Sequence, residues 1–137
     1  MKRLFIALWT CYFLVGSSFA LAEKVSPEAI DGATTVNASK AKALFDKGIT
    51  FVDVRKDKDW DAGRIPDAVH IDLKNGYSDE SLSKAVKKDQ EVVIYCNGPK
   101  CMRSSKASTK AVGWGFSKVF YFRGGFPAWK AAGYPAE

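Results

Sequence analysis

The sequence predicts an α/β domain in three layers: a central, mainly parallel sheet covered by helices on both faces. Three observations lead there. From Thr34 onward, short β-rich runs alternate with helical runs. Such alternation feeds parallel strands joined by crossover helices. The clearest strand, Glu91-Val92-Val93-Ile94-Tyr95, is almost wholly apolar, as a strand buried on both faces would be. Internal repeats and low-complexity tracts are missing, so the alternating region reads as one domain.

Each element has its own signal. Asn37 or Ser39 can cap a helix through Ala41, Leu44 and Phe45 that stops at Gly48. Ile49 to Val54 is a buried-strand candidate, and Lys56 to Ala62 is a short polar helix ended by Gly63. Val69-His70-Ile71 makes a brief strand, and Asp79-Glu80 opens a helix through Leu82, Ala85 and Val86. The Glu91–Tyr95 strand runs directly into Cys96. Ser104 or Ser105 can then cap a helix through Ala107, Ala111 and Val112, ending near Gly113. Val119 to Phe122 is a further strand, and Gly124-Gly125 turns the chain into a last helix from Pro127 to Ala132.

The chain has 137 residues and a net charge of +6. Lys2 and Arg3, the apolar run Leu4 to Val15 and the closing Ala20-Leu21-Ala22 follow the order of a secretory signal peptide, with cleavage expected after Ala22. The apolar run is short for a bilayer span, which needs about 20 residues. No stable membrane insertion is expected after cleavage, and the expected location is periplasmic or secreted. Met1 to Ala22 carry two positive charges and no acidic residue, so the rest of the chain has a charge of +4. Lysines are scattered without a basic block, which argues against nucleic-acid binding. Residues 23–33 are polar and weakly patterned, and read as an extension preceding a domain over 34–137.

Cys11 falls in the leader, which leaves Cys96 and Cys101. A bridge between residues so close constrains little of the unfolded chain, so the pair is read as chemical rather than structural. Cys96 ends a central strand, where open α/β sheets place their ligand crevice. Asn97-Gly98-Pro99-Lys100-Cys101-Met102 follows as a loop, and a helix opens near Arg103. Inward backbone N–H groups, the helix N-terminus and the charges of Lys100 and Arg103 would cradle an anion and lower the Cys96 thiol pKa. Cys96 is therefore the candidate nucleophile. Asn97, Gly98, Lys100, Cys101, Met102 and Arg103 are the candidate substrate-binding residues, with Asp53 and Arg55 supporting the loop as a buried ion pair.

These residues sit among motifs that resemble a known family. Asp53-Val54-Arg55, Trp60 and Ala62-Gly63-Arg64-Ile65-Pro66-Asp67-Ala68 look like the D-x-R and G-H-I-P-G-A signatures of rhodaneses. Gly124-Gly125-Phe126-Pro127-Ala128-Trp129 followed by Gly133-Tyr134-Pro135 is similar to that family's closing motif. The resemblance runs from about Thr34 to Pro135. It implies a rhodanese-like three-layer domain and a sulfurtransferase in which Cys96 takes a sulfane sulfur from thiosulfate or a similar anion. The persulfide sulfur then passes to a thiol or cyanide, or to a protein thiol, without cofactor or metal. Arg64 and Asp67 depart from the usual His and Gly, and Arg103-Ser104 comes two residues later than the family loop has it.

Alternative functions use the same loop: a thiol–disulfide redox protein working through Cys96 and Cys101, a non-catalytic binding module, or, on a poorer match of spacing, a phosphatase. Cys101 could resolve the Cys96 persulfide or shield Cys96 by reversible oxidation. His70, the only histidine, is expected to be a satisfied core residue rather than a metal ligand or base.

Overall fold

The structure is a computed structural model that describes residues 24–137; the leader read over Met1–Ala22 lies outside the described residues. Its elements are β1 (Ala33–Thr35), α1 (Ala38–Asp46), β2 (Thr50–Asp53), α2 (Asp57–Ala62), β3 (Val69–His70), α3 (Asp79–Ala85), β4 (Glu91–Tyr95), α4 (Arg103–Gly113), β5 (Lys118–Phe122) and α5 (Gly125–Ala131). The five strands form one sheet in the order β1-β5-β4-β2-β3, and every pairing is parallel. No helix among the described residues is long and apolar enough to cross a membrane.

Side chains alternate across the sheet, so each strand feeds two cores. Val52, Val54, Val92 and Ile94 point to one face, where Leu82 of α3 and Ala107 and Ala111 of α4 cover them. Phe51, Val93 and Tyr95 point to the other, against Ala41 and Leu44 of α1 and Phe126 and Trp129 of α5. The small residues of α4 let that helix lie close over the middle of the sheet. Tryptophan fills the opposite side, with Trp129 edge-on to Phe45, Phe51 and Tyr134.

Asn37 caps α1, its side chain accepting from the Lys40 N–H at 2.9 Å. The start of α4 differs from expectation. The helix begins at Arg103 after Met102, and neither Ser104 nor Ser105 is its cap. Ser105 Oγ instead donates back to the Met102 carbonyl at 2.9 Å, and Ser104 faces the end of β4. The edge strand β1 has no counterpart in the pattern reading, because three residues are too few to show a period.

The segment preceding the domain is tied to the fold at Ser26 and Pro27. Ser26 is buried, and its N–H and Oγ both donate to the Pro99 carbonyl, at 2.7 and 2.9 Å. The Arg123 guanidinium donates to the Ser26 carbonyl at 2.9 Å, and Tyr121 Oη donates to the Pro27 carbonyl at 3.0 Å. Asp67 stands where the resembled signature has glycine, and it takes a positive φ of 61°. Aspartate is one of the few side chains that tolerates this conformation.

Candidate active site

β4 is the middle strand, and parallel pairing with β2 and β5 brings the carboxyl ends of all three to one edge. Cys96 leaves β4 there, its residue 0 % exposed. Its carbonyl accepts the Phe126 N–H at 2.9 Å, which ties the strand end to α5. That approach requires Gly125, since a Cβ at this residue would collide with the Cys96 carbonyl. Gly98 carries the next tight turn at a φ of 106°. The Cys101 N–H closes the turn on the Gly98 carbonyl at 3.0 Å.

The Cys96 sulfur rests against the first turn of α4. The Ser104 N–H donates to Cys96 Sγ at 3.4 Å, and Ser104 Oγ lies 3.3 Å from it. The Cys101 carbonyl is 3.6 Å from the same sulfur, and the Cys101 side chain packs against the cluster that holds Cys96. Their acid–base roles reverse the expectation from sequence. Donation from Cys96, N–H groups of Asn97 and Arg103 and the Arg103 charge outweigh burial and push the Cys101 thiol down to about 6. The hydrogen bond to Cys101, together with burial, pushes Cys96 up despite the Ser104 contacts. The surroundings thus favour negative charge on Cys101 over Cys96. Sequence reasoning put the helix N-terminus and the cations around Cys96 alone and could not see that Cys101 folds back into the same field.

The arginines are committed to carboxylates rather than left open for an anion. Arg103 Nη1 donates to Asp72 Oδ1 at 2.6 Å and to the Val54 carbonyl at 3.1 Å. Burial raises the Asp72 pKa, but the Lys74 N–H and Arg103 together hold the carboxyl below its usual value. Asp53 is 0 % and Arg55 3 % exposed, and they form the buried pair. Arg55 Nε and Nη2 donate to Asp53 at 3.0 and 2.8 Å, while Nη2 also reaches the Gly63 carbonyl at 2.6 Å. Arg55 Nη1 donates to Asn97 Oδ1 at 3.2 Å, so the pair braces the loop directly. Asn97 turns its amide to Asp59 Oδ2 at 2.8 Å, which makes it a loop strut.

Lys100 is exposed on the loop, and Met102 is half-buried at the start of α4. A crevice of about 230 Å³ runs beside the first limb of the loop, lined by Arg55, Asp59, Asn97, Phe126, Pro127 and Lys130. His70 is half-buried rather than in the core. It stacks on Trp60 at 4.7 Å, with Nε2 2.8 Å from the Arg55 carbonyl. No group of three or more His, Cys, Asp or Glu among the described residues could hold a metal ion.

Sequence reasoning missed Ser104, Asp59, Asp72 and Ser26. Ser104 follows Arg103 in the motif and could have been found there. The others reach the loop from 38, 31 and 73 positions away and carry no local signal.

Comparison with known proteins agrees with the motifs. Residues 37–132 match the family model of the rhodanese-like domain. The chain is 37 % identical over 98 residues to the thiosulfate sulfurtransferase GlpE of Pseudomonas savastanoi, covering 72 % of this chain and 87 % of that protein. The GlpE of Pseudomonas syringae is 34 % identical over the same shares. Among solved structures, a Bacillus halodurans protein superposes with a TM-score of 0.67 at 27 % identity, over 77 % of each chain. The rhodanese-like domain of an Anabaena protein does so with a TM-score of 0.64 at 25 % identity, covering 79 % of this chain and 80 % of that one. The chain belongs to the rhodanese-like family.

Proposed function

We propose that the protein is a sulfurtransferase that carries sulfane sulfur as a persulfide on Cys96, loaded from thiosulfate or a similar anionic donor. The observation that carries this reading is the seat of the Cys96 sulfur. It lies at the carboxyl end of β4, held by the Ser104 N–H at 3.4 Å, with the Cys101 carbonyl 3.6 Å away. In the loading step Cys101, whose surroundings favour its thiolate, takes the proton of Cys96. The Cys96 thiolate attacks the outer sulfur of the donor, the donor S–S bond breaks, and sulfite leaves with the electron pair. A thiophilic acceptor, thiol or cyanide, then takes the terminal sulfur and returns Cys96 to its thiolate. The leader pattern over Met1–Ala22 supports a periplasmic or secreted protein working on small anions.

The test is the reduced protein exposed to thiosulfate without added thiol, read by intact mass and by sulfite assay. One sulfite released per chain is expected, lost in Cys96→Ala. Sulfite release that persists in a folded Cys96→Ala overturns the reading.

A further inference from the structure

Loading leaves Cys101 as a thiol with no further task, yet its surroundings are those of a second reactive sulfur. Gly98 and Pro99 turn the chain, and the Cys101 N–H closes that turn on the Gly98 carbonyl at 3.0 Å. Residue 101 is thereby folded back over the strand end, its carbonyl 3.6 Å from Cys96 Sγ and its side chain packed against the cluster that holds Cys96. The N–H groups of Asn97 and Arg103 and the Arg103 charge favour a negative charge on that sulfur.

Access separates the two cysteines as well. Cys96 is wholly buried while Cys101 is partly exposed. A nucleophile already in contact needs no approach, and holding reactants in place replaces a bimolecular step with an intramolecular one.

We propose that Cys101 is the resolving thiol of this site: it attacks Cys96 Sγ once that sulfur carries a persulfide, releases hydrogen sulfide and closes a Cys96–Cys101 disulfide. The protein is then a sulfane-sulfur reductase whose second substrate is a thiol reductant. The inference rests on the persulfide reading above. Cys101 gives its proton to the terminal persulfide sulfur, and its thiolate forms the new S–S bond to Cys96 Sγ. The bond from Cys96 Sγ to the terminal sulfur breaks, and that sulfur leaves as hydrosulfide with the electron pair. The sulfane sulfur is reduced by two electrons and the two cysteines are oxidised by two, so no outside oxidant is needed. An external dithiol, or two monothiols, reduces the disulfide and resets the site.

The experiment is an anaerobic single turnover of the reduced protein with thiosulfate and no added thiol, assaying sulfite, sulfide and intact mass together. The expected result for the wild type is one sulfite and one sulfide per chain, with the chain two hydrogens lighter than its reduced form. Cys101→Ser and Cys101→Ala lose the sulfide, and any sulfite they release is matched by a chain one sulfur heavier. A wild type that releases sulfite but stays one sulfur heavier, with no sulfide, overturns the resolving role and leaves the persulfide reading standing. So does sulfide release that survives in the two Cys101 variants. A wild type that releases neither sulfite nor sulfide overturns both.

Discussion

Cys96 and Cys101 are five positions apart, yet the end of β4 and the far limb of the loop treat the same side chain in opposite ways. At the strand end the thiol is sealed between α4 and the sheet, and its interaction with Cys101, then burial, penalise charge there. On the far limb a hydrogen bond from the first thiol, two backbone N–H groups and an arginine make charge favourable. A nucleophile's character is thus set by what the loop aims at each sulfur, not by the residue or its distance from the helix along the chain. Four measurements break or sharpen this contrast.

The largest effect is expected from the buried pair that holds the loop at Asn97. Arg55→Met leaves the Asp53 carboxylate buried without its partner. Breaking a buried pair from one side costs about 3–5 kcal/mol. A fall of that size in unfolding free energy, read from denaturant melts, is the expected outcome. A change below about 1 kcal/mol would mean that the pair does not brace the loop.

The next measurement addresses the contrast directly. Iodoacetamide labelling of the reduced protein is expected at Cys101 first, with a rate that rises through a midpoint near 6, because the thiolate is the reactive form above it and the thiol prevails below. Cys96→Ala removes the hydrogen bond that does most to stabilise the Cys101 thiolate, so the midpoint should move upward, toward the ordinary thiol value. A midpoint unmoved in that variant would contradict the shared proton.

Arg103→Gln should move the same midpoint upward by less, since the Arg103 charge is the weakest of the named contributions and the backbone N–H at 103 remains. An effect equal to that of Cys96→Ala would reassign the thiolate's main support to the arginine. The smallest change is expected from the first limb. Ser26→Ala removes the Oγ bond to Pro99 and leaves the 2.7 Å N–H bond, a loss of about 1 kcal/mol. Labelling of Cys101 should keep its midpoint, because Ser26 holds the loop at Pro99 and touches neither sulfur.

Much of the fold was legible because its signals are local. The Glu91–Tyr95 run, the Asn37 cap and the glycine stops after Phe45 and Trp60 mark elements whose own residues specify them. The strand-end position of Cys96 followed from the same reasoning. The three-residue strand β1 and the docked Ser26 were not legible, because both are defined by partners in β5 and the loop far along the chain.

The sequence by itself determined that a cysteine would end the central strand of a parallel sheet, that a glycine-bearing loop would follow, and that a second thiol and an arginine would lie within it. Periodicity, turn residues and motif spacing are properties of neighbours in the chain, and they can be read there. Only the tertiary structure decided that the surroundings favour charge on Cys101 over Cys96, and that Arg55 and Arg103 are tied to Asp53 and Asp72. Charge and burial depend on distances in space, and it is the folded-back turn at Gly98 that brings Cys101 against Cys96.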